Sequence, residues 1–220
     1  MSEILLPKGY LSYSAMELWL RDKDSYRERY YLEEPFISTP YTEFGNEVGK
    51  ALEDRNWKHP AIKKVKGKVP HQTHPEYKIV TTVKGVKVLG LLDDFNKKTK
   101  FIEEYKTNIR DKDTGRLKWN RVAVRKHKQL PFYTVLVRSE FGEWSKDIRL
   151  TCMETEWFEE KVPTKLGSSK IYHVEKKLRL TGHVEQFMRT IKEWELDRME
   201  DLIRQSAEEI TKDYKLWLKK

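Results

Sequence analysis

Between residues 76 and 106 apolar positions recur in three short runs, 76–83, 85–95 and 100–106. Polar breaks fall at Lys84-Gly85 and at Asn96-Lys97-Lys98-Thr99. Val, Ile, Leu and Phe in runs of this length predict a meander of three strands. Outside it the spacing lengthens. Residues 12–34 place Met16, Leu18, Trp19, Tyr26 and Tyr30 on one face, with Ser12 or Ser14 as cap, and predict one helix. A second helix is expected from Thr42 to about Trp57, with Phe44, Val48, Ala51 and Leu52 on one side. A third is expected from about Asn120 to Arg138. Two strands fit 147–157 and 170–178, and 182–218 reads as an amphipathic helical segment. The stretches 59–75 and 107–120 are polar and read as loops. This order predicts a mixed α/β domain around one sheet.

Composition narrows the partner. The chain has 220 residues, enough for a sizeable core, and seven Trp and eleven Tyr argue against disorder. The formal net charge of +9 favours a polyanion, although a lysine-rich soluble surface has the same arithmetic. Cys152 is the single cysteine, which excludes an internal disulfide, a four-cysteine zinc site and an iron–sulfur cluster held by four cysteines. Met1 to Tyr10 lacks the pattern of a signal peptide, and no run of about 18 apolar residues occurs. A cytosolic location, in a bacterium or a host cell, with no membrane partner is the expectation.

The candidate chemistry lies in Gly90-Leu91-Leu92-Asp93-Asp94 and Phe101-Ile102-Glu103-Glu104-Tyr105-Lys106-Thr107. A turn centred on Lys98-Thr99 sets Asp93 opposite Glu104. Alternation then puts Leu91, Asp93, Phe95, Ile102, Glu104 and Lys106 on one face, and Leu92, Asp94, Glu103 and Tyr105 on the other. Two carboxylates across a strand pair repel unless a cation lies between them. Hard oxygen ligands suit Mg²⁺ or Mn²⁺, and a neighbouring lysine can hold the attacking water. A solvated hairpin with an ordinary Glu–Lys pair is the bland alternative. The chain has no Gly-rich phosphate loop of the Walker type.

Gly-x-x-Asp, a short turn, Glu-x-Lys-Thr, and then Gln129 and Tyr133 spaced as Gln-x-x-x-Tyr resemble the PD-(D/E)XK nuclease superfamily, in its RecB-like and phage-type exonuclease branch. Leu11-Ser12-Tyr13-Ser14, and Gly45-Asn46-Glu47-Val48-Gly49 followed by Glu53, extend the likeness over roughly residues 11–135. The resemblance implies a restriction-endonuclease-like fold and a single nuclease domain over 1–220. Its catalytic core would span about 42–157, with a C-terminal helical segment at about 182–218. It implies Asp93 and Glu104 as Mg²⁺ ligands, with Mn²⁺ as a substitute, the main-chain carbonyl of Tyr105 as a third ligand, Lys106 on the water and Gln129 orienting the site. Tyr133 packs or contacts DNA in that family. Gly49 stands where many members carry a histidine ligand. Glu53, one helical turn on, is either its substitute or an exposed helix glutamate, and Glu47 is the weaker candidate.

Lys118, Trp119, Arg121, Arg125 and Lys128, with Lys112, Arg116 and Lys126, mix cations with an aromatic as a DNA backbone requires. His59, His71 and His74 match no metal motif, and His127 is either a phosphate contact or merely exposed. The expectation is an Mg²⁺-dependent exonuclease acting on single-stranded DNA or free DNA ends in recombination, repair or replication. The C-terminal segment covers the sheet or docks a recombinase, a single-strand-binding protein or a second subunit. The rival is a catalytically inactive nucleic-acid-binding module with the same fold.

Overall fold

In the computed structural model of the protein, residues 3–111, 113–163 and 172–219 are described. Lys112 and the first residues of the expected strand 170–178 lie outside them. The N-terminal part holds β1 (Leu11–Ser12), α1 (Tyr13–Arg21), α2 (Lys23–Tyr30) and α3 (Pro40–Glu53). The meander is β2 (His74–Val83), β3 (Val86–Asn96) and β4 (Phe101–Ile109). There follow α4 (Arg121–Lys126), α5 (Gln129–Phe141), β5 (Asp147–Pro163), β6 (Tyr172–Thr190) and α6 (Glu193–Trp217).

One sheet organises the molecule, and β3 is its pivot. Along one edge β3 pairs antiparallel with β2. Its other edge is shared. Val88 and Leu89 pair in parallel with Leu11 and Ser12 of β1, and Asp94 to Asn96 pair antiparallel with Glu103 to Phe101 of β4. Residues 90–93 lie between these ladders with no strand partner on that edge. Beyond β4 the sheet continues with β5, parallel, and then β6, antiparallel. This is the restriction-endonuclease-like mixed α/β architecture that the sequence led us to expect.

The larger core lies on the face covered by α1, α5 and α6 and draws on the chain from Leu6 to Ile210. Every residue of α5 from Leu130 to Val137 is buried. A helix apolar all round belongs in the interior. The opposite face is covered by α3, where Phe44, Val48, Ala51 and Leu52 meet Ile62, Met153 and Leu180.

The four expected helices all differ. The helix over 12–34 is two, because the Asp22 side chain accepts from the Asp24 and Ser25 N–H groups and so starts a new helix. The helix over 120–138 is also two, broken at His127, whose ψ of 109° is extended. Pro131 explains this break, since a proline ring clashes with the carbonyl four residues earlier, here that of His127. Residues 182–190 are strand, not helix. They carry β6 along β5, with Val184 opposite Met153 and Phe187 opposite Leu150, and α6 begins only at Glu193. The helix from Thr42 ends at Glu53, short of Trp57, and Arg55 follows with a φ of 50°.

The alternation expected on β3 fails in part. Leu91 is 45% exposed, while Leu92 and Phe95 both enter the core beneath α5. The strand changes parity between them. The break coincides with Glu76, which has a φ of 45° and leaves a gap in an otherwise regular β2–β3 ladder opposite Asp93. On β4, Ile102 enters the same core as Phe95, as expected.

Candidate active site

The gap at residues 90–93 and the kink at Asp93 aim polar side chains at a single point. Asp93 turns its carboxylate across to β4, where Oδ2 accepts from the Tyr105 N–H at 2.7 Å. Glu104 is fully buried, and its Oε1 accepts from Lys106 Nζ at 2.5 Å. Its Oε2 is buried with no hydrogen-bond partner. Burial, and then the Asp93 charge, push the Glu104 carboxyl up to about 8, with Lys106 offsetting part of the effect. Burial likewise raises Asp93, against the pull of Lys106 and the Tyr105 N–H. Burial lowers Lys106, but the Glu104 and Asp93 carboxylates outweigh it and hold the amine above its ordinary value. The two carboxylates thus favour the ammonium form of Lys106. The register Asp94↔Glu103 is the one that sets residue 93 against residue 104, as the turn position predicts.

The second carboxylate layer supports the first. Asp94 accepts from the Gln72 N–H at 2.8 Å and from the Tyr105 hydroxyl at 3.3 Å. Glu103 accepts from Arg149 at 2.6 Å and from Thr151 at 2.5 Å, and burial pushes its carboxyl up to about 7. Parity thus separates Asp93 and Glu104 from Asp94 and Glu103 as the sequence suggests, and the latter pair clamps β4 in place.

Asp93 and Lys106 open onto a cleft of about 800 Å³, with Glu53 and Gly49 of α3 on its far wall and Lys118 and Trp119 at its rim. Glu53 lies 2.9 Å from Lys50 and keeps 26% of its side chain exposed. Both readings of Glu53 remain compatible with that position. A side chain added at Gly49 meets nothing within 4 Å. Glu47 faces His59 at 3.9 Å and does not line the cleft.

Sequence reasoning missed Glu76. It lines the same cleft, and burial, followed by Glu53 and Asp93, raises its carboxyl. The signal was available, because a turn at Lys84-Gly85 sets residue 76 opposite residue 93. Among the described residues, no three His, Cys, Asp or Glu side chains converge as a ready metal cage. The donor set still suits a hard cation: paired buried carboxylates and an orphaned carboxylate oxygen have unmet demand for positive charge.

Gln129 opens α5 and donates from Nε2 to the Tyr133 hydroxyl at 2.8 Å. The Tyr133 ring packs on Gly90, and the residue is 7% exposed. His127 is half-buried, not exposed as the sequence allowed. It stacks against Trp119 at 4.5 Å, and burial, then the Lys106 and Arg189 charges, push it down to about 3. The basic residues expected as one stripe are divided. Lys118 and Trp119 border the cleft, Arg121 and Arg125 face a recess formed with β6 and Trp194, and Lys128 faces α1. The break at His127 separates Arg121 and Arg125 on α4 from Lys128 at the start of α5. His59, His71 and His74 bond to Ala61, Asp94 and Thr73 respectively or lie beside them, without converging.

No family model matches the chain, and no curated protein matches it. Solved structures do. An exonuclease-designated protein from Eubacterium rectale superposes with a TM-score of 0.53 at 11% identity, covering 92% of this chain and 80% of that one. A phage-related exonuclease from Haemophilus somnus 129PT superposes with a TM-score of 0.51 at 13% identity, covering 96% and 86%. At such identities the likeness establishes a shared fold. No helix among the described residues is long and apolar enough to cross a membrane.

Proposed function

We propose that the protein is a metal-dependent deoxyribonuclease that removes nucleotides from DNA ends, with Mg²⁺ as its ion and Mn²⁺ as a substitute, in recombination, repair or replication. The observation that carries this reading is the Glu104 carboxylate, buried with one oxygen unpartnered and tied to Lys106, which with Asp93 lines an open cleft. Burying such a group is costly unless it has a charged partner. The fold shared with two exonucleases supports the choice of reaction.

Asp93 and Glu104 would hold the ion, with the Tyr105 carbonyl as a third ligand and Glu53 or Glu76 reaching it directly or through water. A bound divalent ion lowers the pKa of its water and stabilises charge on phosphate oxygens. This chain's own residues do the rest. Lys106, kept cationic by its carboxylate neighbours, donates a hydrogen bond toward the attacking oxygen or the phosphate. Gln129, at the start of α5, fixes the Tyr133 hydroxyl and the wall behind Asp93. Lys118 and Trp119 hold the backbone and a base at the rim.

The test is digestion of end-labelled linear and closed circular duplex DNA with Mg²⁺, Mn²⁺ or chelator. Linear DNA should lose nucleotides with either ion, and the circle should survive. Asp93→Asn and Glu104→Gln should each lower turnover by roughly 10²–10³-fold or more, the scale of a lost electrostatic contact in an active site. Binding without degradation under all three conditions would point to the inactive nucleic-acid-binding module instead. Rapid nicking of the circle would make the protein an endonuclease.

A further inference from the structure

Trp194 is a large aromatic side chain that packs into neither apolar core among the described residues. It stands at the start of α6, where Arg198 lies 5.7 Å from its ring, and it is still 54% exposed. Met188 of β6 is 56% exposed. Both line a recess of about 760 Å³, within the range of about 300–1,000 Å³ that ligands occupy. Val124 of α4 and Phe187 of β6 complete its apolar lining. Two bulky apolar side chains held in solvent around one hollow are better suited to a partner than to water.

The charges of the recess are sorted by depth. Arg189 and Glu195, the more buried pair, cancel each other, with side chains 9% and 18% exposed. Arg189 also donates to the Val124 and His127 carbonyls at 3.0 and 2.7 Å, and Glu195 accepts from the Lys192 N–H at 3.0 Å. These bonds lock α4, β6 and α6 together, so the hollow is preformed. Arg121, Arg125 and Lys192 are exposed around it, and none of the three forms an ion pair among the described residues. An apolar centre inside a charged rim is the anatomy of a protein-docking site, and this rim asks for acidic groups.

The backbone supplies a third element. β6 is the last strand of the sheet and pairs only with β5. The loop before β2 covers the other edge of β6 as far as Gln186, where Gln186 Nε2 donates to the Lys68 carbonyl at 3.1 Å and Lys68 Nζ to the Gly182 carbonyl at 2.6 Å. From Phe187 to Thr190 no strand among the described residues lies beside it. A free edge is a template for an added peptide strand, which a nucleic acid backbone cannot imitate. The recess shares no lining residue with the cleft at Asp93 and Lys106, so a partner seated in it leaves the cleft to the substrate.

We propose that this recess docks an acidic, extended segment of a partner protein. A bulky apolar side chain of that segment sits against Trp194 and Met188, its carboxylates meet Arg121, Arg125 and Lys192, and its backbone runs along the free edge of β6.

The experiment is fluorescence anisotropy with short labelled peptides of aspartate and glutamate, each carrying one central Phe, Leu, Ile or Trp. At least one peptide should bind, more weakly as salt rises, and its binding should be lost when glycine replaces the central residue. Trp194→Ala and Met188→Ser should each weaken that peptide by roughly 5- to 30-fold, the range for a truncated anchor at an interface. Lys192→Glu should weaken it and flatten its salt dependence. All three are exposed positions, and circular dichroism checks that each variant folds. Binding is read without metal or DNA, so its outcome does not depend on the nuclease reading. Absence of binding by every peptide, or binding that Trp194→Ala and Met188→Ser leave unchanged, would overturn the docking site. A single-stranded oligonucleotide that displaces the peptide and loses as much affinity in Trp194→Ala would also overturn it, and would assign the recess to nucleic acid.

Discussion

Glu104 shows how a single residue can be costly to the fold and useful to the site. It is fully buried, one oxygen has no partner, and Asp93 adds a like charge. Lys106 is the only cation bonded to it among the described residues. Without an added ion, therefore, neutralising Glu104 should stabilise the fold. In chelator Glu104→Gln should melt above wild type. Lys106→Ala should melt well below it, since removing one partner of a buried pair costs about 3–5 kcal/mol. Mg²⁺ or Mn²⁺ should raise the wild-type melting temperature in proportion to occupancy and move Glu104→Gln little, because only the native state binds. A wild-type melting temperature indifferent to millimolar metal would mean that the orphaned oxygen has some other partner. Gln129 and Tyr133, bonded to each other, do not line the cleft and would act one step further back, through the wall behind Asp93.

At the level of elements, the contact of α5 with β3 decides where that wall stands. A Cβ at Gly90 would lie 2.7 Å from Leu136 Cδ2 and 3.3 Å from the Tyr133 ring. Leu136 is fully buried and has nowhere to swing. Gly90→Ala should therefore push α5 off the sheet and destabilise by about 1–3 kcal/mol, the usual cost of overpacking. Adding Leu136→Ala should recover part of that in a double-mutant cycle, read by denaturant unfolding. Strict additivity would show that the two residues do not meet. The same elements show what a sequence can carry. The hairpin register was legible because Lys98-Thr99 fixes a turn, and a turn fixes every cross-strand pair after it. The same rule applied at Lys84-Gly85 yields Glu76. Helix breaks were less legible, because apolar spacing runs unbroken across Asp22 and His127. Only the capping role of Asp22 and the ring of Pro131 mark them. Residues 182–190 were misread because Phe187 and Ile191 fit a helical stripe, and the choice of strand depends on β5, which is distant in sequence. The parity slip at Asp93 has no local signature at all. It arises where β3 changes partners from β1 to β4, a tertiary event.

Over the whole molecule the net charge is +9, and the basic residues around α4 line three different recesses. DNA binding should therefore weaken steeply with salt, but the basic residues should contribute unequally. Lys118→Glu, at the rim of the cleft, should reduce both affinity and turnover, whereas Arg125→Glu, on the β6 side, should leave turnover on short substrates close to wild type. Equal losses on a short oligonucleotide would mean that the strand wraps past α4. A second whole-molecule device joins the chain ends. α6 ties down the N-terminal segment that carries Tyr10 and Tyr13. Asp213 accepts from Arg27 Nη2 at 2.7 Å and from the Tyr31 hydroxyl at 3.0 Å, Glu209 accepts from Trp19 at 3.2 Å, and Thr211 accepts from the Leu5 N–H at 3.0 Å. Hydrogen bonding to Arg27 holds the Asp213 carboxyl below its ordinary value of 3.8, against a smaller opposing effect of burial. A carboxyl depressed in the folded state stabilises the fold at every pH above its unfolded value, and that contribution fades as pH falls through the folded one. Asp213→Asn should therefore lower stability at pH 7 by about 1–2 kcal/mol, reduced from the full value of a charged hydrogen bond because the pair is partly exposed. For a chain of this size that corresponds to a melting temperature lower by about 2–8 °C. The gap between variant and wild type should close as the pH is taken well below 3.8, where the wild-type carboxyl is itself protonated. A gap that persists unchanged in acid would show that the asparagine disturbs packing beneath Tyr31, and that charge is not what holds α6 to the start of the chain.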